Sequence, residues 1–213
     1  MITLSEAVVA VAHAVAAARE DLNRLDAVAG DGDLGITMSV AAQAAIEAVV
    51  GGDNADTNTV LRRIGMVIAR RAPSTGGTLV ATALVGASRV PSENEAVVRA
   101  IARRARAAQL AIEERGGAKV GDKSMLDALS PAVESFERDA EAEVSVSEAL
   151  AHAALAAREG ARETEQLTPR VGRAAWLAAR SHGVEDGGAH LVAIVFEAIA
   201  DTVSKAESNP ARR

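Results

Sequence analysis

The sequence predicts an all-α fold, and three observations carry that prediction. Alanine, the best intrinsic helix former, is the commonest residue. Val and Ile recur at helical rather than alternating spacing. Helix starts are clearly marked. Thr3-x-x-Glu6, Ser92-x-x-Glu95 and Ser145-x-x-Glu148 read as capping boxes, in which a hydroxyl and a carboxylate satisfy exposed backbone N–H groups. Thr168-Pro169 reads as an N-cap followed by proline at the first helical position.

Taken in order, helices are predicted over about 4–22, 35–50, 57–71, 77–90, 93–115, 124–138, 146–166, 170–181 and 187–206. The first, fifth and seventh open at the three capping boxes, and the eighth at Thr168-Pro169. Pro131 falls early in the sixth, where it is expected to kink the helix. No connection has the length and Pro/Ser content of a linker, so residues 1–206 are expected to form one domain. Residues 207–213, Glu-Ser-Asn-Pro-Ala-Arg-Arg, read as a disordered tail.

Composition excludes several function classes. The 213 residues (21.8 kDa) are 49% hydrophobic and 24% charged, which is enough for a sizeable core. The absence of cysteine removes disulfides, thiolate metal sites and a cysteine nucleophile together. A net charge of −6 argues against a nucleic-acid footprint. The aromatics are Phe136, Phe196 and Trp176 alone, too few for base-stacking platforms. The N-terminus lacks the basic region of a signal peptide, and no stretch of 18 purely apolar residues occurs. A soluble, cytoplasmic protein with no nucleic-acid or membrane partner is the expectation.

Short connections favour helices that run up and down. The connections after the first, third, fifth and seventh helices then share one end, at residues 23–34, 72–76, 116–123 and 167–187. Gly, Asp, Ser, Thr and Pro concentrate there. Topology alone therefore marks one end as the functional end.

Each connection has its own chemistry. Asp26, Asp31 and Asp33 lie within eight residues, separated by glycines. Carboxylates so close repel unless a cation neutralises them, and hard oxygen ligands suit Mg²⁺. Taken alone, the segment also reads as a solvated acidic turn; its spacing excludes an EF-hand. Pro73-Ser74-Thr75-Gly76-Gly77-Thr78 reads as an anion site at a helix N-terminus, or as a plain turn capped by Thr75. Gly116 to Asp127 holds two of the three lysines and by itself reads as a flexible, solvated loop capped by Ser124 or Asp122. Arg173 reads as a phosphate clamp or as a surface arginine. His13 and His152 read as packing or surface residues, and His182 and His190 acquire no role.

Together these segments resemble a known family. Asp26 followed by Gly30-Asp31-Gly32-Asp33-x-Gly35-x-x-Met38 resembles the metal-binding signature of the nucleotide-binding L subunit (DhaL type) of dihydroxyacetone kinases. Gly76-Gly77-Thr78 is similar to its glycine-rich phosphate loop, and Gly121-Asp122-Lys123-Ser124-Met125-Leu126-Asp127 to its Gly-Asp-Lys-Thr-Met-x-Asp stretch. Gly172-Arg173-Ala174-Ala175-Trp176-Leu177 and Asp186-Gly187-Gly188-Ala189 resemble two C-terminal segments of the family. The motifs keep the family's order over nearly the whole chain.

The resemblance implies an eight-helix up-and-down antiparallel barrel with the nucleotide at one end. It implies two Mg²⁺ ions on Asp26, Asp31 and Asp33, bridging the phosphates of ADP or ATP. Leu34, Gly35, Thr37, Met38, Gly77, Thr78, Gly116, Ser124, Met125, Arg173, Asp186, Gly187 and Gly188 would line the nucleotide. It implies a kinase subunit active with a K-type partner that holds a hydroxyketone, and it allows a phosphotransferase-system phosphoryl donor and a homodimer. A chain of this size would then be half of an enzyme. The sequence departs from the family pattern at Leu34, where His or Thr is common, at Thr37, where Asn is common, and at Leu79. A further departure is Gly187, which replaces a proline. These departures keep open a catalytically altered, regulatory or ligand-binding member of the same fold. The aspartate signature, which also resembles that of the kinase domain of fatty-acid kinases, keeps open a nucleotide domain of that kind.

Overall fold

The computed structural model describes residues 2–50 and 55–208. Nine α-helices occur among them: α1 (Leu4–Ala17), α2 (Arg19–Ala29), α3 (Leu34–Val49), α4 (Thr57–Arg71), α5 (Thr75–Ala87), α6 (Val97–Gly116), α7 (Leu126–Glu141), α8 (Val146–Glu163) and α9 (Gly187–Ser208). No strand occurs among the described residues. α1 and α2 are one rod bent at Ala18, so the nine helices make eight staves. Each stave packs on its chain neighbours and α9 returns to α1, which closes the expected eight-stave barrel.

Two of the three capping boxes form. Glu6 N donates to Thr3 Oγ1 while the Glu6 carboxylate accepts from Thr3 N, and Ser145 and Glu148 do the same. The Ser92 box does not form. α6 starts at Val97 instead, because Glu93 and Glu95 are taken by Arg103 at 2.7 and 2.8 Å. Thr168-Pro169 starts no helix either. The segment stays irregular until a 3-10 stretch, Arg173–Arg180, broken at Leu177. The first predicted helix does not end near residue 22. Leu22 and Leu25 are buried at helical spacing, and the polar residues between them only form its outer face.

The expected tail begins inside α9, whose last residues are Glu207 and Ser208; 209–213 lie outside the described residues. By length and mean hydropathy α9 could cross a bilayer, but here it is a barrel stave, with Ala189, Leu191, Ala193, Ile194 and Val203 buried against its neighbours.

Small residues set the wall thickness. Ala128, Ala132, Ala153, Ala157, Ala161, Ala189 and Ala193 are fully buried where α7, α8 and α9 meet. Gly160 of α8 lies on the Asp127 carbonyl and the Pro131 ring of α7, where a Cβ would overlap backbone. Pro131 stands inside α7 without ending it. Phe136 is the largest fully buried side chain and meets Phe196 at a centroid distance of 5.8 Å. Between α1, α3, α4, α5 and α9 the interior keeps an apolar cavity of about 250 Å³.

Candidate nucleotide and metal site

The up-and-down order puts four connections at one end, and all four meet there. A cavity of about 700 Å³ is lined from α2 and the α2–α3 turn (Asp26, Gly30, Leu34) and from the start of α5 (Thr75, Gly76). It is completed by the α6–α7 connection (Lys123, Ser124, Met125) and by the α8–α9 connection through Gly188. Its size is that of a small-molecule site. The same topology brings the N-termini of α3, α5, α7 and α9 to this end, so four helix dipoles present their positive ends toward it.

Asp26 lies in the last turn of α2, and Asp31 and Asp33 in the short turn beyond. Each offers a carboxylate oxygen within 4.8 Å of the others. Asp26 also builds the turn: its Oδ2 accepts from Gly32 N (2.8 Å) and Asp33 N (3.1 Å). Two glycines make this possible. A Cβ at Gly30 would overlap the Asp26 carboxylate, and Gly32 has φ +77°. Asp33 stands at the N-cap of α3 without capping it. Asn23 takes that duty, its Oδ1 accepting from Ile36 N at 3.2 Å, which leaves the Asp33 carboxylate to the acidic cluster. Three clustered, partly exposed carboxylates fit a hard divalent cation such as Mg²⁺.

At α5 the N-cap is Ser74, not Thr75. Its Oγ accepts from Gly77 N at 3.0 Å, which leaves Thr75 and Gly76 to line the cavity. The α6–α7 connection is not the flexible, solvated loop that it reads as by itself. The Asp127 carboxylate accepts from Gly121 N (2.5 Å) and Ser124 N (2.7 Å), and Lys123 is 5% exposed.

Of the residues the resemblance singled out, Asp26, Leu34, Ser124, Met125, Asp186, Gly187 and Gly188 line the cavity, with Asp31 and Asp33 beside Asp26. Six others lie elsewhere. Gly35 packs on the Arg19 carbonyl, and Met38 is buried in the barrel interior with Leu22, Leu191 and Ile194. Thr37 is half-buried one turn into α3. Gly77 packs on the Ala72 carbonyl, and Thr78 faces an outer groove along α4 and α5. Gly116 ends α6 against Leu79, itself a cavity residue. Arg173 opens the 3-10 stretch, and its side chain lies outside the described residues. Two departures touch: a Cβ on Gly187 would lie 2.9 Å from Leu34 Cδ2, so the larger residue at 34 fills space left by the smaller one at 187.

Sequence reasoning passed over Asn23 and Glu185, and named Ser74, Lys123 and Asp127 only as members of longer segments, with no role of their own. Glu185 lines the cavity and reaches back to His190 Nδ1 at 2.7 Å, next to the Arg158–Glu197 pair that ties α8 to α9.

Asp186 Oδ1 accepts from Ala189 N at 2.8 Å, in the first turn of α9. Burial pushes its carboxyl up to about 6 and the nearby Asp127 adds to the rise, against the Ala189 N–H and Lys123. A folded-state value above the unfolded one gives stability that is full below the unfolded value, near 3.8, and is lost as pH rises through about 6. Asp186→Asn should therefore flatten the pH dependence of unfolding between about pH 4 and 6 and stabilise the metal-free chain above it. The gain should be on the order of 2 kcal/mol, since the carboxylate keeps some contact with water. Urea unfolding at several pH values measures this.

The profile of the DAK2 domain family matches residues 28–201. The D-erythrulose kinase of Mycolicibacterium smegmatis is 39% identical over 198 residues, which cover 92% of this chain and 34% of that protein. The ADP-binding subunit DhaL of the PEP-dependent dihydroxyacetone kinase of Escherichia coli is 29% identical over 182 residues, 85% of this chain and 87% of that one. Among solved structures, the dihydroxyacetone kinase from C. freundii in complex with AMP-PNP and Mg²⁺ superimposes with a TM-score of 0.74 at 26% identity. That match covers 93% of this chain and 33% of the other. The chain thus spans about a third of the length of the erythrulose kinases it matches.

Proposed function

The chain belongs to the DAK2 domain family, and on that premise we propose that it is the Mg²⁺- and nucleotide-binding part of a dihydroxyacetone-type, keto-sugar kinase. The observation that carries this reading is the acidic triad at the mouth of a cavity ringed by four helix N-termini. The acceptor we infer is a short hydroxyketone held by a K-type partner. Its support is the naming of the relatives as erythrulose and dihydroxyacetone kinases. A cytoplasmic place of action, where nucleotide is available, goes with the reading.

Phosphoryl transfer needs positioning and charge neutralisation more than covalent help from the protein. Asp26, Asp31 and Asp33 would hold Mg²⁺, two ions in our reading, which would supply charge neutralisation for the phosphates. The N-termini of α3, α5, α7 and α9 add fixed partial positive charge for the same phosphates. Leu34, Leu79, Met125 and Val171 give the cavity apolar walls that exclude water and suit a nucleobase. No general base is needed from these residues if the acceptor is activated on the partner. Leu34 against Gly187 keeps the wall filled, which supports a retained site despite the departures.

The test is the nucleotide content of the purified chain. We expect ADP or ATP, bound only with Mg²⁺. ADP that survives dialysis points to rephosphorylation by a phosphotransferase-system donor, and rapid exchange points to ATP as the substrate. A chain that carries no nucleotide and takes up none at millimolar concentration would contradict the reading.

A further inference from the structure

Lys123 has a role that neither the acidic triad nor the cavity lining accounts for. It lies in the α6–α7 connection with φ +59°, a backbone conformation that L side chains rarely adopt. Its ammonium donates to three backbone carbonyls: Thr164 at 2.6 Å, Val184 at 2.7 Å and Ser181 at 2.8 Å. An ammonium has three N–H groups and no acceptor, so these bonds use its full capacity. Thr164 and Val184 bracket a single segment, residues 165–183, and Ser181 lies near its C-terminal end. Gly183 N donates to the Glu165 carbonyl at 3.0 Å, and Asp186 N to Thr164 Oγ1 at 2.8 Å, which closes the segment at its base. Farther out, Arg170 N donates to the Asp122 carbonyl at 3.2 Å. The segment is a strap, and Pro169, Val171, Gly172, Ala174 and Trp176 give one wall of the cavity before the chain enters Asp186–Gly188.

We propose that Lys123 is a positioning residue for the nucleotide site: its ammonium pins both ends of the 165–183 strap to the α6–α7 connection, fixing the wall that the strap lends to the cavity and the approach of Asp186–Gly188. The choice of residue supports this. The chain uses twenty arginines and three lysines, yet a lysine stands here. Three carbonyls converging on one atom suit a tetrahedral ammonium, not a planar guanidinium fork. Burial lowers the pKa of Lys123, while Asp186 and Glu165 favour its charged form. The consequence for binding rests on the nucleotide reading above; the anchoring of the strap does not.

The test compares Lys123→Met and Lys123→Arg with Lys119→Met, an exposed lysine of the same connection. In Lys123→Met, trypsin should cut at Arg170 and Arg180 about tenfold or more faster, because cleavage tracks the population of the opened strap. The far-ultraviolet spectrum and cleavage elsewhere should match wild type. Affinity for Mg²⁺-AMP-PNP should fall about tenfold or more, since the wall is no longer preorganised. Affinity for Mn²⁺ alone, which reads the acidic triad, should not change. Lys123→Arg should not restore the site, and Lys119→Met should behave as wild type. Wild-type proteolysis and wild-type nucleotide affinity in Lys123→Met would overturn the proposal. So would a parallel loss of Mn²⁺ and nucleotide binding, or loss of the helical fold in both Lys123→Met and the milder Lys123→Gln, which would make Lys123 a folding residue. If wild type itself bound no Mg²⁺-AMP-PNP, the nucleotide reading would fail, and the tryptic pattern would still decide the anchor.

Discussion

Asp31→Asn should reduce Mg²⁺-dependent nucleotide binding by about a hundredfold or more, as loss of a metal ligand does at least as much as loss of its supporting groups. Asp31 is exposed and shares a site of 4.8 Å extent with Asp26 and Asp33. Asn keeps the size of the side chain and removes one negative charge. The metal-free fold should therefore be unharmed, and relief of repulsion among the carboxylates should leave its stability within about 1 kcal/mol of wild type or slightly above it. The two readouts move apart, and that separation identifies a ligand. Titration with Mg²⁺-ADP, beside thermal unfolding in a chelator, measures both. Equal affinity in the variant and wild type would remove Asp31 from the site.

The largest stability effect should come from Phe136→Ala. Phe136 is fully buried between α7 and its neighbours and contacts Phe196, in a chain with almost no other aromatic surface. Truncation loses the transfer energy of the ring and leaves a void, about 3–5 kcal/mol together. The alanine-lined walls of α8 and α9 have little side chain with which to fill it. Urea unfolding should show a lower midpoint with the same slope. A loss below about 1 kcal/mol would mean that the barrel repacks around the void.

The helical fold was legible because local signals and tertiary demand agreed. The Thr3 and Ser145 boxes formed as read. The Ser92 box failed because a nearby cation, Arg103, competes for the same carboxylates, a contact that sequence spacing does not encode. Polar residues at the outer face of α2 looked like a helix end, whereas Leu22 and Leu25 continued the buried stripe. Loop parity brought the four connections to one end, where they line one cavity, since alternation of direction depends only on the number of helices.

Individual site residues were less legible. Motif membership could not separate side chains that face the cavity, such as Asp26 and Met125, from those that hold its frame, such as Gly35 and Gly77. That difference is set by the approach of Arg19 and Ala72 backbone, remote from any motif. Lys123 had a signal in its rarity among so many arginines, but its three acceptors lie 41 to 61 residues away along the chain.

The central claim is that the end where four connections meet is a Mg²⁺-nucleotide site. Trp176, the chain's one tryptophan, is 88% exposed on the cavity wall and reports on it directly. The most direct measurement is calorimetric titration of the chain with AMP-PNP, with Mg²⁺ and with chelator, followed in parallel by Trp176 fluorescence. We expect saturable one-to-one binding with a fluorescence change when Mg²⁺ is present, and neither when it is removed. No heat and no change in Trp176 emission at millimolar Mg²⁺-nucleotide would contradict the account.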